Sequence, residues 1–350
     1  MNIMLTCAGR RNYLVRSFQN ALVGQGLVIA ADASGDAPSM QEADMAFVVP
    51  SVSDPNYLDV ILDICRKYDV GLLVSLNDLE LSRLAHQRHR FSEIGTLLVI
   101  SEPSVIDTCF DKWQTHLFLE ENGFDTPATY WSIEDAQRAL TGGHLVFPLV
   151  VKPRWGTASI GIEYVYDTNE LNLAYELVRK RLARTIISEA SASDPEHSVL
   201  VQQRLDGHEY GLDVINDLDA KHIVTFAKRK LSMRAGETDR AVTVDNSELI
   251  EIGDKLGTIL GHVGNLDCDV ILQGGTPYVL ELNPRFGGGY PFSHVAGANI
   301  PAAIVAWASG KQAKQEWLHV RPNIGASKCD RLVVHKESRR RSGCICVTED

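Results

Sequence analysis

Glu281 and Asn283 lie two residues apart at the end of an apolar run, Tyr278 to Leu282, that reads as a buried strand. Residues i and i+2 of a strand point to the same face, so a carboxylate and an amide oxygen sit side by side before a loop. Arg285 follows, and then Gly287, Gly288 and Gly289. Hard cations such as Mg²⁺ take oxygen ligands, often one or two carboxylates with substrate phosphates completing the shell. A carboxylate, an amide and a guanidinium at this spacing suit a metal–nucleotide phosphoryl site. The plainer alternative is a polar strand end followed by a glycine turn.

A second strand prepares the first. Asn265 to Leu272 carries Asp267 and Asp269, and the turn Gln273-Gly274-Gly275-Thr276-Pro277 leads back into Tyr278 to Asn283. A hairpin with a glycine turn brings Asp269 beside Glu281. The metal site expected is therefore Asp269, Glu281 and Asn283.

Upstream, Phe147 to Pro153 is a strand that finishes on Lys152. Arg154 to Gly161 is a small-residue loop with Gly156, Thr157, Ser159 and Gly161, and a strand resumes at Ile162. Such a hairpin can fold its backbone amides over phosphates, with Lys152 as a point charge at its base. It is not a P-loop, because no Gly-Lys-Ser/Thr opens a helix. Lys228, Arg229, Lys230 and Arg234 crowd ahead of a turn holding Glu237. They read either as a grip for phosphate or a carboxylate substrate, or as a charged β-edge.

These groups need elements to hold them. Residues 3–8, 27–31, 46–49, 70–76 and 96–100 read as strands, and 55–68 and 78–90 as helices. Strands alternating with helices imply a parallel sheet, so residues 1–105 are expected to form one α/β domain. The first turn, Cys7 to Asn12, lacks Gly-x-Gly-x-x-Gly, which argues against a dinucleotide site. Arg10 and Arg11 there form an anion site or two solvated arginines. Asp78, beyond the strand 70–76, is a substrate contact or a helix cap. Later, 168–185 and 247–263 read as helices, 301–310 as a short apolar helix, 187–198 as an exposed polar connection, and His335 to Arg341 as a solvated tail. Strands across 198–233 suit an α+β module.

The whole chain sets bounds. With 350 residues, 45% hydrophobic and 23% charged, it is long enough for two or three packed domains. A net charge of −11 disfavours a nucleic-acid binder. Seven scattered cysteines without a Cys-x-x-Cys pair suit reduced thiols and a cytoplasmic location. Cys344 and Cys346 read as plain tail thiols ahead of a metal clip or a strained bridge. The N-terminus does not read as a signal peptide, and no apolar run is long enough to be a membrane span.

Taken in order to about residue 310, these motifs resemble the ATP-grasp family, in the branch that looks like the carbamoyl-phosphate-synthase large subunit and the pyrrolysine-pathway ligase. The resemblance implies an α/β plus α+β fold. An N-terminal parallel-sheet pre-ATP-grasp domain would span 1–105. A two-subdomain ATP-grasp fold would follow, with a small subdomain and phosphate-covering loop over 106–198, a central subdomain with the metal site over 199–320, and a polar tail over 321–350. It implies that Lys112 and Lys152 contact ATP phosphates, Lys152 also near the adenine. The loop Gly156 to Gly161 would cover the phosphates, with Thr157 and Ser159 among the ATP contacts. Gln203 and Leu205 would face the adenine and Glu209 the ribose. One or two Mg²⁺ ions, replaceable by Mn²⁺, would sit on Asp269, Glu281 and Asn283, and Arg285 would steady the transferred phosphoryl group, with Lys152 also catalytic. Gln203 stands where many members have glutamate, and Asp269 where close relatives often carry glutamine or another acid.

The expected activity is ATP-dependent joining of a carboxylate to an amine through an acyl-phosphate, releasing ADP and phosphate, on an amino acid or small carboxylic acid. A non-catalytic ATP-binding sensor or scaffold, and a carboxylate–thiol ligase, are the alternatives. Arg10, Asp78, Lys230, Arg234 and Glu237 are the expected substrate contacts. The partners expected are small-molecule carboxylates and amines, with no nucleic acid and no membrane, and relatives of this kind are commonly homodimers.

Overall fold

The computed structural model describes residues 1–156, 161–185 and 187–335, and the backbone of 338–341 and 344–347. Three sheets organise it. The first has seven strands in the order Ser338–Arg341, Cys344–Val347, Met45–Val48, Val28–Asp32, Asn2–Thr6, Val70–Ser75 and Leu97–Leu98. The last five of these are parallel. Helices Asn12–Leu22 and Tyr57–Lys67 are among the crossovers, as parallel pairing requires. Each brings an apolar face to a different core, one around Leu14 and Phe18, the other around Ile61 and Leu62.

The second sheet has four antiparallel strands, in the order Thr129–Tyr130, Val199–Gln203, Leu149–Pro153 and Glu163–Val165. The expected hairpin around the glycine loop is present, with Leu149 opposite Val165. The third sheet has six antiparallel strands, in the order Thr276–Asn283, Gly264–Gln273, His208–Asn216, His222–Arg234, Glu237–Val244 and Gly325–Ser327. A parallel-sheet N-terminal region is thus followed by antiparallel sheets.

Alternation divides the third sheet into a dry and a polar face. Leu266, Cys268 and Val270 are fully buried against Leu249 and Leu256 of helix Ser247–Leu260. Asp267 and Asp269, between them on the strand, point the other way. The helix opens on Asn246, whose side chain accepts from Leu249 N at 3.0 Å, and stops at Gly261 with φ +64°.

Several expected elements differ. The helix read over 78–90 is two, Asp78–His86 and Arg88–Ser92, because the chain turns at Gln87. The connection over 187–198 contains a helical turn, Ser188–Ser191, with Ile187 and Ser191 buried. The charged run from His335 is not a free tail. Residues 338–341 and 344–347 pair with each other and then with the first sheet, Cys346 opposite Phe47. Nor is the chain after residue 320 detached from the third sheet, since Gly325–Ser327 pairs with Arg240 to Val242.

Gly253 marks where helix Ser247–Leu260 lies closest to its sheet. A Cβ there would fall 2.2 Å from Thr225 Cγ2. Gly253→Ala is expected to lower the unfolding free energy by about 1–3 kcal/mol through overpacking. A denaturation midpoint equal to that of the wild type would show that the helix can shift without loss.

Candidate active site

The antiparallel register fixes the centre of the site. Asp269 is opposite Glu281, and Asp267 is opposite Asn283. Residues two apart share a face, so these four side chains form a two-by-two patch of oxygen donors. All four line one cavity of about 650 Å³ between the second and third sheets. Burial pushes the Asp267 and Asp269 carboxyls up from the usual carboxylate range. Arg285 opposes the rise at Asp267, and Lys230 opposes it at Asp269. Lys230 Nζ donates to Asp269 Oδ1 at 2.6 Å and to Glu209 Oε1 at 2.8 Å. Gly211, between those strands, lets it cross: a Cβ there would meet Lys230 Cε at 3.3 Å.

The opposite wall is cationic. Lys152, at the end of strand Leu149–Pro153, is buried and donates to the neutral amide Gln202 Oε1 at 2.8 Å. Burial and the neighbouring Lys112 bring its pKa down to about 8 against the opposing pull of Glu281. Lys112 opens helix Lys112–Glu121, which Asp111 caps by accepting from Trp113 N at 2.9 Å. Its Nζ donates to Gly156 O and lies 3.5 Å from Glu281 Oε1. Asp111 also holds Arg154 through two bonds, 2.8 Å from Nε and 2.7 Å from Nη2. The base of the glycine loop and the lysine helix are thereby fixed to one another.

Arg285 connects the site to the first region. Its Nη2 donates to Asp78 Oδ2 at 2.7 Å, and its Nη1 lies 3.7 Å from Asp267 Oδ2. The guanidinium is 8% exposed, and its Nε has no partner among the described residues. Burial disfavours its charge, but Asp78 and Asp267 outweigh that and raise its pKa.

The cavity thus gathers most of the residues singled out from the sequence. Gly156, Gln203, Leu205 and Glu209 line it, as do Lys230 and Glu237. Asp78 is set behind Arg285 in an adjoining hollow; it does not cap its helix, since Asn77 accepts from Leu79 N at 2.9 Å and takes that place. Gly161, Arg10 and Arg234 are not in the lining. Arg10 is out on the surface, 82% exposed, and Arg234 is half-exposed; both turn to Asp330. Thr157 and Ser159 lie outside the described residues.

Three lining or supporting residues were named without a role, left between alternatives or missed. Asp267 shares a face with Asp269, and its spacing alone would have marked it. Gln202 pairs with Lys152 across adjacent strands, which needs a register no sequence gives. Arg11, rather than Arg10, enters the cavity, because the turn at Cys7 to Arg11 has no periodicity to say which arginine faces inward. Among the described residues no three His, Cys, Asp or Glu side chains cluster as a metal site, so an ion here would rest on no more than two acids with the Asn283 amide. No helix among them is long and apolar enough to cross a membrane.

Comparison with known proteins places this arrangement. Residues 3–99 match the family model described as "PylC-like, N-terminal domain", and residues 109–289 match that of the "ATP-grasp domain". The chain belongs to the ATP-grasp family. A carbamoyl phosphate synthase large chain from Methanocorpusculum labreanum is 24% identical over 266 residues, 72% of this chain and 24% of the relative. Another, from Mycobacterium tuberculosis, is 27% identical over 242 residues, 67% of this chain and 20% of the relative. This ATP-grasp chain therefore spans about a quarter or less of those relatives. Among solved structures, the biotin carboxylase domain of a Hydrogenobacter thermophilus 2-oxoglutarate carboxylase, in complex with MgADP, ADP and bicarbonate, has a TM-score of 0.71 at 15% identity. It covers 92% of this chain and 73% of that one. An L-amino acid ligase from Bacillus licheniformis has a TM-score of 0.65 at 19% identity, covering 92% and 77%. These likenesses are of fold.

Removing one partner of a buried ion pair leaves the other uncompensated, at a cost of about 3–5 kcal/mol. Asp78→Ala should therefore lower the unfolding free energy by that order, read as the denaturation midpoint, and Asp78→Asn by less. Equal midpoints for wild type and Asp78→Ala would mean that Asp267 alone satisfies Arg285.

Proposed function

We propose that this chain is an ATP-dependent carboxylate–amine ligase working through an acyl-phosphate. What supports the reading above all is the polarity of the cavity, a patch of four oxygen donors facing the buried Lys152 and the part-buried Lys112 with Arg285 at its end. A metal–triphosphate has the complementary polarity: its cation suits the oxygen patch and its phosphates suit the lysines. The donors also fit Mg²⁺ on their own chemistry. All are oxygens, and burial disfavours the charged form of Asp267 and Asp269, a cost that a bound cation would offset. Asp269, Glu281 and Asn283 would hold the ion, with Mn²⁺ an acceptable substitute. A bound Mg²⁺ neutralises phosphate charge and polarises the phosphorus under attack.

The chain's own residues do the rest. Lys152 and Lys112 hold the phosphates, Glu209 the ribose, and Gln203 and Leu205 the adenine edge and face. A substrate carboxylate oxygen attacks the γ-phosphorus, and ADP leaves. Arg285 offsets the charge that grows on the transferred group. The amine nitrogen then attacks the acyl carbon, phosphate departs with the bonding pair, and the nitrogen loses a proton. No enzyme nucleophile is required. The acid is an amino acid or a small carboxylic acid.

Product analysis tests the proposal. With ATP, Mg²⁺ and pooled carboxylates and amines, the expected products are ADP and phosphate; AMP would point to adenylation and overturn the acyl-phosphate scheme. Glu281→Ala should abolish turnover with the fold intact, and full activity in that variant would reject the metal assignment.

The lowered pKa of Lys152 supplies a second test. Near pH 8 the free lysine is about half deprotonated, and phosphates beside it favour its charged form. ATP binding should then take up protons at pH 8 and take up few at pH 6, where the lysine is already charged. Calorimetry in buffers of different ionisation enthalpy reads this. Equal uptake in wild type and Lys152→Met would remove Lys152 from the phosphate site.

A further inference from the structure

A carboxyl that the proposed chemistry does not use is buried beneath the carboxyl edge of the first sheet. Strand Asn2–Thr6 has Val28–Asp32 on one side and Val70–Ser75 on the other, the chain running outward on the first side before it returns to the second. That is a switch point, where open α/β sheets hold ligands beyond their strand ends. Here the chain fills the place itself. Glu80, fully buried, accepts at Oε2 from Thr6 Oγ1 at 2.7 Å and from Ser75 Oγ at 2.6 Å. Its Oε1 accepts from Tyr57 OH at 2.6 Å. Thr6 and Ser75 end the two central strands, and Tyr57 opens helix Tyr57–Lys67. Burial pushes the Glu80 carboxyl up from its usual range, and these hydroxyls pull it back. An apolar side chain in its place would leave three buried hydroxyls without an acceptor.

Glu80 lines neither the cavity nor the hollow beside it, yet two routes lead from it to the site. The first is its own helix. Glu80 stands in the first turn of Asp78–His86, two residues from Asp78, whose Oδ2 accepts from Arg285 Nη2 at 2.7 Å. The second is the turn that starts straight after Thr6. Cys7 opens it with φ +50°, a left-handed backbone that its surroundings must hold, and Cys7 Sγ lies 3.8 Å from Tyr57 OH. Arg11 closes it, and Arg11 Nη1 donates to Phe286 O. Arg285 Nη1 donates to the same oxygen at 3.2 Å. Both routes therefore end at one guanidinium.

We propose that Glu80 is a positioning residue: pinned to two strand ends and a helix start, it fixes the first turn of helix Asp78–His86 and the turn Cys7 to Arg11, and through them the aim of Arg285. It touches no reactant. The inference rests on the ligase reading for what Arg285 does, but not for the link between Glu80 and Arg285.

Two measurements on the full chain test it. The ¹H–¹⁵N resonance of Arg285 Nε, assigned by its loss in Arg285→Lys, reports the guanidinium directly. Glu80→Gln and Tyr57→Phe should each shift it. Tyr175→Phe, which removes a buried hydroxyl from the core of the four-stranded sheet, should leave it in place. The second measurement is ADP release with ATP and pooled carboxylates and amines. Glu80→Gln and Tyr57→Phe should lower kcat about ten- to hundredfold, the loss that a misaimed group brings, with KM for ATP unchanged. If Glu80→Gln does not fold, Tyr57→Phe, which keeps the ring, decides alone. In an Asp78→Asn background the loss from Tyr57→Phe should shrink, because one route is already cut. The inference is overturned by a resonance that stays in place in Tyr57→Phe, by one that moves equally in Tyr175→Phe, or by losses that multiply fully with Asp78→Asn. A shifted resonance in a chain that releases no ADP with any substrate would sink the ligase reading and leave this one standing. ADP release with kcat and resonance unchanged in both variants would do the reverse.

Discussion

Charge buried on one face of a six-stranded sheet is the constraint from which the rest of this structure follows. An isolated ion in that setting costs far more than a fold can tolerate, so each needs a partner placed to order. Lys228 and Asp213 are both fully buried and bonded at 2.6 Å, with Ser293 donating to the same carboxylate oxygen. Lys230 answers Glu209 and Asp269 one row away. Arg285 answers Asp78 and Asp267. Backbone has to yield room for this packing, and Gly287 does so: a Cβ there would fall 2.0 Å from Asp267 Cγ.

The pairing is incomplete in a directed way. Lys152 faces a neutral amide where a carboxylate would have settled it, and among the described residues Glu281 has only Lys112, at 3.5 Å, as an ion-pair partner. Positive charge accumulates on the wall from the second sheet, and negative charge on the wall from the third. An ATP-grasp chain needs that imbalance, because its ligand carries both signs. Full internal neutralisation would give a more comfortable protein with nothing left to bind a metal–nucleotide.

The oxygen patch was legible because strand periodicity and a glycine turn together set a register, and both are local. Asp269 opposite Glu281 needed no knowledge of the remaining chain. The lysines at 112 and 152 were legible as residues, but their mutual placement depends on Asp111 and Arg154, 43 residues apart in sequence. Where local signals were equal, the reading chose wrongly or left both options open. Arg10 and Arg11 are adjacent in a turn, and only packing against Phe286 separates them. Arg234 was grouped with Lys228 and Lys230 as one basic cluster, yet it lies at the strand end with Asp239 and Asp330, while the two lysines face inward. The charged run after His335 looked solvated because it joins the first sheet only through Cys344–Val347, whose own partner, Met45–Val48, lies near the other end of the sequence.

That late pairing has a consequence during synthesis. As the chain leaves the ribosome, Met45–Val48 is an open sheet edge, with unpaired amides and carbonyls and no inner neighbour but Val28–Asp32. It stays so until residues 344–347 have been made and can cap it. A chain lacking residues 344–347 therefore presents a sticky seam to other strands, and the strand that hides it acts as a self-supplied guard against aggregation.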